Sequence, residues 1–247
     1  MLNKGDLSNP TIEVREIINL VNPKDKTVLE IGCGLGPHAK YISKLAKMYY
    51  AVDILKDKIE DAKKANAQEN LVFKHMDATN LEYSNEMFDI VIACHVLHEV
   101  PCINQGLIYK EVHRILKDGQ YFVILDPNPK KHSEFQKCFD VVHENLFNYN
   151  HYYCCAHANW VMHRMINQEK FFEVVSMKDV DLAFQFENIQ EVVDLLVSDF
   201  RYEIKITKAQ EKEIFDYLRK GVLKNKRDGE LTVEENLSLV VLKKRGR

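Results

Sequence analysis

Thr27-Val28-Leu29-Glu30-Ile31-Gly32-Cys33-Gly34-Leu35-Gly36 is the stretch that decides the fold. Thr27 to Ile31 is a short, largely apolar run of the kind that forms a buried strand. The three glycines that follow, at every second position, permit a tight turn and let a ligand approach the backbone closely. The spacing predicts a strand, a turn and then a helix, with Ala39, Ile42 and Leu45 on the helix's inner face.

The same alternation continues downstream. YYAVD ends a second strand at Asp53, and Ile59 and Ala62 mark the inner face of a lysine-rich helix. LVFKH and FDIVIAC read as the third and fourth strands. Ile108, Val112, Ile115 and Leu116 give a helix face that ends near Asp118-Gly119, and YFVILD is the fifth strand. Short strands apolar on both faces and separated by helices predict a doubly wound, mostly parallel α/β sheet with helices on both sides. Upstream, Asn9-Pro10 opens a helix that Asn22-Pro23 closes.

After Asp126 the pattern changes. Residues from about 127 to 170 are rich in aromatics and histidine and predict a helical insertion or lid. A sixth strand is expected from Phe171, with YEIKI, near residue 202, as a rival for that place. Helices are expected between about 188 and 222, on the faces Ile189, Val192, Val193, Leu196 and Phe215, Leu218, Val222, and a final strand from Leu237. This gives one domain over 1–247, its core at about 23–126 plus the C-terminal strands.

Three successive strands end in an acid or carry one: Glu30, Asp53 and Asp77. Ligands of open α/β sheets lie beyond the carboxyl ends of the strands, so the three are expected to converge there. Asp53, seventeen residues after the last glycine, suits a pair of ribose hydroxyls. The GxGxG spacing differs from the GxGxxG of dinucleotide sites, which disfavours NAD.

With these motifs the chain resembles the class I S-adenosylmethionine-dependent methyltransferases, in particular the small-molecule group that includes ubiquinone and menaquinone methyltransferases. VLEIGCGLG, AVD, MDATNL, FDIVIACHVLHEV and EVHRILKDGQYFVILD carry the resemblance in order. It implies a Rossmann-like seven-stranded sheet, S-adenosylmethionine as cofactor and a small-molecule acceptor. Glu30, Gly32, Cys33, Gly34 and Gly36 would line the cofactor's methionine and ribose, Asp53 and Ile54 its ribose side, and Asp77 and Ala78 its adenine. Cys94 and His95 would close the pocket. His38 stands where the family more often has a small hydroxyl residue.

Methyl transfer needs alignment above all, but a hydroxyl or protonated amine acceptor gains from a base with near-neutral pKa. His95 and His98 are the catalytic candidates, with Glu99 as an orienting acid. Tyr149, Tyr153, His157 and Trp160 are expected to line the acceptor pocket. His151, Cys154, Cys155 and His157, with Cys138 and His143, could serve a soft metal, but without a CxxC pair or a four-ligand spacing no metal site is assigned.

Composition narrows the function classes. In 247 residues, 46% are hydrophobic and 29% charged, and the net charge is −3. No overall field attracts nucleic acid, which is disfavoured as a partner. The basic residues near the end, Lys220, Lys224, Lys226, Arg227, Lys243, Lys244, Arg245 and Arg247, read as a solvated face and frayed tail. No segment has a membrane span's length of apolar residues, MLNKGDLSNP lacks signal-peptide character, and the expected compartment is cytoplasmic. Two alternatives accompany the enzyme reading: a non-catalytic S-adenosylmethionine-binding sensor or partner subunit, and a thiol or metalloid methyltransferase using the insertion's cysteines.

Overall fold

The computed structural model describes residues 3–4, 12–147, 150–200, 206–222, 226–227 and 230–246. The elements, in chain order, are β1 (Asn3–Lys4), α1 (Ile12–Val21), β2 (Thr27–Ile31), α2 (Ala39–Ile42), β3 (Met48–Asp53), α3 (Lys56–Ala65), β4 (Leu71–His75), β5 (Phe88–Cys94), α4 (Cys102–Ile115), β6 (Leu116–Pro127), α5 (Glu134–Phe147), α6 (His151–Asn167), β7 (Phe172–Phe186), α7 (Ile189–Phe200), α8 (Lys208–Val222), β8 (Lys226–Arg227) and β9 (Glu230–Lys244).

The seven long strands lie in the order β7-β9-β6-β5-β2-β3-β4, and two-residue strands β1 and β8 pair with β7 and β9. Neighbours from β6 to β4 run parallel, whereas β9 is antiparallel to β6 and β7. The expected seven-stranded, mostly parallel sheet is therefore present. The order reverses at β2, because β3 lies on one side of it and β5 on the other, and that reversal opens the crevice in which such sheets take ligands.

Alternation along the strands divides the core in two. Leu29, Ile31, Val91, Phe122 and Val240 face α4 and α6, where Ile108, Val112, Ala158 and Met165 complete one layer. Val28, Ile90, Ile92, Val123 and Val241 point to the opposite face, against Val14 and Ile17 of α1 and Ile59 and Ala62 of α3. A third cluster sits apart. β7 and β9 pair as far as Phe186 and Leu231, well past Pro127, the last residue of β6 to pair with β9. Phe186, Leu231 and Val233 on this extension pack with Phe135, Val192, Val193, Ile214 and Leu218 of α5, α7 and α8. The helices thus gather over the carboxyl edge of β6, on the ligand side of the sheet.

Several expectations are corrected. α2 stops at Ile42 and gives way to turns, so Leu45 loses the helical register and is 44% exposed rather than inward. α4 ends at Ile115, and Asp118-Gly119 lies inside β6, where Gly119 adopts φ +71°. β7 and β9 are each much longer than their apolar kernels, because Val180, Leu182 and Phe186 keep a period of two that continues the ribbon. The rival stretch YEIKI lies almost wholly outside the described residues, as do the first helix's Asn9-Pro10 start and Arg247 of the tail. The tail is also less free than its charge suggests. Lys244 is 4% exposed, donates to the Leu116 carbonyl at 2.7 Å and pairs with Asp118 at 3.0 Å, while Arg245 Nε donates to the Phe172 carbonyl.

Candidate cofactor and acceptor site

The turn after β2 needs its glycines for different reasons. Gly32, Gly34 and Gly36 all have positive φ, where a Cβ is penalised. A Cβ on Gly32 would lie 2.2 Å from Val96 Cγ2, and one on Gly36 2.8 Å from the Phe73 ring, so these two positions are closed by packing. A Cβ on Gly34 would meet nothing within 4 Å. That open space is the cradle a ligand would fill.

Asp53, at the end of β3, is buried and holds the turn. Its Oδ2 accepts from Gly34 N and its Oδ1 from Leu55 N, both at 2.8 Å. Each carboxylate oxygen keeps capacity for a further donor, as a ribose hydroxyl would require. Ile54 beside it is 62% exposed, an apolar side chain left at the strand's edge. Asp77 is exposed and closes a local turn, accepting from both the amide and the hydroxyl of Thr79 at 2.8 Å, with Ala78 between them. Cys33 and Cys94 are buried, and burial, aided by the charge of Glu30, pushes both thiols well up.

Glu30 does not face this cradle. Strand alternation turns it towards α1 and α2, where it is 1% exposed, and its two oxygens are taken by Tyr49 OH and His38 Nδ1, each at 2.9 Å. Its place in the ligand set is therefore corrected: it anchors the turn from behind. The opposite ring nitrogen of His38 lies 3.6 Å from Glu13 of α1. Burial opposes charge on this ring, but the bonds to Glu13 and Glu30 outweigh it and push the pKa up to about 10. The unusual residue after the glycine turn is thus an imidazolium clamped between two carboxylates.

The histidines after β5 differ from one another. His98 is buried, with Nδ1 at 3.0 Å from Asp126 and Nε2 at 3.0 Å from Glu99. Burial works against its charge, yet the two acids prevail and push its pKa up to about 10. With both nitrogens engaged and the ring protonated at neutral pH, His98 is poorly suited to accept a proton. Asp126 also takes the amides of Val96 and His98 at 3.1 Å, so this ion pair shapes the loop. His95 is different. Its backbone is left-handed, φ +56°, its side chain is 35% exposed, and Nε2 lies 3.2 Å from Glu13 Oε1.

Residues 29–124 match the family model for the methyltransferase domain. Over these residues the chain is similar to that domain. Two curated relatives overlap it: a phthiotriol/phenolphthiotriol dimycocerosates methyltransferase of Mycobacterium tuberculosis, 34% identical over 42% of this chain, and a fatty-acid O-methyltransferase of Mycolicibacterium smegmatis, 32% identical over 42%. The matched region spans 38% of either relative. The fold extends further than the sequence match: the YcgJ protein of Bacillus subtilis aligns with a TM-score of 0.64 at 20% identity, over 95% of this chain and 98% of that one.

The residues expected to line an acceptor pocket lie beyond the matched segment. Tyr149 falls outside the described residues. Tyr153, His157 and Trp160 form a stripe along α6, with ring centroids 6.0 and 5.5 Å apart, and Tyr153 and Trp160 are more than half exposed. They are not among the residues that line the cavity on the helix's other face. The helix's opposite face carries Cys155, Ala158, Asn159 and Met162, which border a cavity of about 20 Å³ beside Asp126 and Tyr109. Helical period explains the difference: residues 153, 157 and 160 share one stripe, and 155, 159 and 162 another. The cavity has room for a single water, and the buried Tyr109 hydroxyl that borders it has no partner among the described residues.

The cysteines also separate. Cys154 Sγ meets Cys102 Sγ at 3.6 Å, whereas Cys155 faces the cavity. His157 Nδ1 contacts Gln105 Oε1 at 2.6 Å. The side chains of Cys138 and His151 are not described. Among the described residues, no three His, Cys, Asp or Glu side chains converge as metal ligands, and no helix is long and apolar enough to cross a membrane.

Sequence reasoning missed Glu13 and Asp126. Asp126 carried a usable signal, since it ends a strand just as Asp53 does. Glu13 carried none, because its partners are 25 and 82 positions away.

Gly34→Ala tests the cradle directly. The left-handed backbone should cost about 1–2 kcal/mol, roughly 2 to 8 °C in melting temperature for a chain of this size. The methyl group would also enter the open space, so S-adenosylhomocysteine affinity should fall about tenfold or more. Calorimetric melting and titration measure the two effects separately.

Proposed function

We propose that this chain is an S-adenosylmethionine-dependent methyltransferase that acts on a small-molecule acceptor. The observation that carries this reading is the open cradle at Gly34, whose amide is tied to Asp53 at the reversal point of the sheet. Gly32, Gly34 and Asp53 would hold the methionine and ribose portions, with Ile54 on the ribose side, Asp77 and Ala78 beside the adenine and Cys94 closing the other side. When bound, the cofactor supplies a methyl group on a sulfonium, a carbon ready for displacement.

The chain's own task is then to orient the acceptor, exclude water and remove a proton where the acceptor carries one. His95 is the group for that proton. Nε2 faces Glu13, and Nδ1 has no hydrogen-bond partner among the described residues, which leaves it available to an acceptor hydroxyl. The helices over the carboxyl edge of β6 form the acceptor side. The names of the two relatives suggest an apolar acceptor bearing a hydroxyl or carboxyl group.

The test is transfer of labelled methyl from S-adenosylmethionine to a panel of fatty acids and hydroxylated lipids and aromatics. His95→Asn should lower turnover on a hydroxyl acceptor about a hundredfold, within the range expected for a positioned base, and leave S-adenosylhomocysteine affinity nearly unchanged. Equal loss of both would assign His95 to cofactor binding instead. His98→Asn should act through stability, visible as a lower melting temperature.

A further inference from the structure

Glu13 stands outside the methyltransferase core, on α1, yet it reaches into the site. It is 7% exposed, and its two oxygens address different histidines: Oε1 lies 3.2 Å from His95 Nε2 and Oε2 3.6 Å from His38 Nε2. His38 continues the chain of contacts to Glu30, and Glu30 to Tyr49. A run of five side chains from α1, β2, α2's approach, β3 and the β5 loop therefore passes behind the glycine turn and ends at His95.

The two ends of this run have different surroundings. Tyr49 is wholly buried, whereas the His95 side chain is 35% exposed and its backbone is held at φ +56°. A non-glycine residue in the left-handed region costs energy and persists where surrounding contacts over-determine it. Two such contacts are visible: His95 N donates to the Leu125 carbonyl at 2.8 Å, and Nε2 meets Glu13. Val96, the next residue, lies against Gly32, the first glycine of the turn.

We propose that Glu13 is a positioning residue for His95: it receives the Nε2 proton, fixes the ring tautomer with the Nδ1 lone pair towards the acceptor, and raises the ring's proton affinity. The proposal rests on the methyl-transfer reading for its consequence in catalysis and on geometry alone for the coupling itself. In the step, the Nδ1 lone pair takes the acceptor's hydroxyl proton, the oxygen's electrons form the new bond to carbon, and the carbon–sulfur pair returns to sulfur. His95 ends as an imidazolium stabilised by the Glu13 carboxylate.

The charges around His95 agree in sign. Burial disfavours the protonated ring and His98 repels it, but Glu13 from α1, with a smaller contribution from Glu235 of β9, raises its pKa above the ordinary value. Glu13 in turn is held far below the usual carboxylate range, because its bonds to His38 and His95 exceed the cost of burial. A base of raised pKa is protonated at low pH, so turnover should climb as pH rises through the His95 pKa.

The test is a histidine-labelled NMR titration of the full chain, with the His95 signal assigned by its loss in His95→Asn. In Glu13→Gln the His95 pKa should fall by about one unit, a tenfold change in proton affinity, and the tautomer balance should move away from Nε2–H. Glu13→Asp keeps the charge but withdraws it by one methylene, and should give a smaller shift in the same direction. The acid limb of the methyl-transfer profile should move down with the ring. An unchanged His95 titration in both variants would overturn the proposal. Shifted titrations with no methylated acceptor would support the Glu13–His95 coupling and overturn the methyl-transfer reading alone.

Discussion

Asp53→Ala is expected to weaken S-adenosylhomocysteine binding by about a hundredfold or more. The carboxylate has two tasks. It fixes the glycine turn through Gly34 N and Leu55 N, and under the proposed function its remaining lone pairs would accept from a ribose. Hydrogen bonds to a charged partner contribute about 1.5–3 kcal/mol each, so losing two to ribose hydroxyls reaches the stated factor before any loosening of the turn. Asp53→Asn retains one acceptor oxygen and should fall between the two. Titration calorimetry reads the affinity, and a melting temperature within a few degrees of wild type would show that the variant still folds. Full affinity in Asp53→Ala would remove this residue from the ligand set.

His38→Ala should produce the largest stability loss. The imidazolium lies between Glu13 and Glu30, both nearly inaccessible to solvent. Its removal takes the cation from between two buried carboxylates, leaving Glu30 bonded to the neutral Tyr49 hydroxyl and Glu13 to His95, and breaking such a pair costs about 3–5 kcal/mol, roughly 6 to 20 °C in melting temperature. The pH dependence follows in sign. The folded-state pKa, about 10, exceeds the unfolded value near 6.5, so the contribution is fully present below pH 6.5 and is lost as pH rises through 10. His98, also raised to about 10 between Asp126 and Glu99, adds in the same direction. Wild-type protein should therefore lose melting temperature steadily between pH 6.5 and 10. His38→Ala should show a shallower decline, because the His38 contribution is gone while His98 and His95, whose pKa values are also raised, still lose their protons as pH rises. Scanning calorimetry at several pH values checks both slopes.

The core was legible because its signals are local. β2, β4 and β5 have the boundaries that their apolar runs suggest, and Ile59, Ala62, Ile108 and Val112 face inward as helical period requires. The glycine turn and Asp53 also come together as their strand-end positions imply. What the sequence concealed depends on distant contacts. Glu30 looked like a ligand because it precedes the glycines, but the pleat directs it to the α1 side. His98 looked like a base, and only the arrival of Asp126 and Glu99 at its two nitrogens makes it an ion pair. Tyr153 and Trp160 looked like pocket walls, yet the smaller residues of α6 supply its packed face. Burial is shared there by Cys154, Cys155, Ala158 and Met162, of which Ala158 and Met162 join the core cluster with α4 and the sheet.

The central claim is that the Gly32–Gly36 turn with Asp53 is built for S-adenosylmethionine. Native mass spectrometry of the full chain with added S-adenosylhomocysteine, and in parallel with NADH, tests it most directly. The account predicts a single adduct of S-adenosylhomocysteine that is strongly diminished in Asp53→Ala, and none with NADH. An adduct with NADH and none with S-adenosylhomocysteine would contradict it.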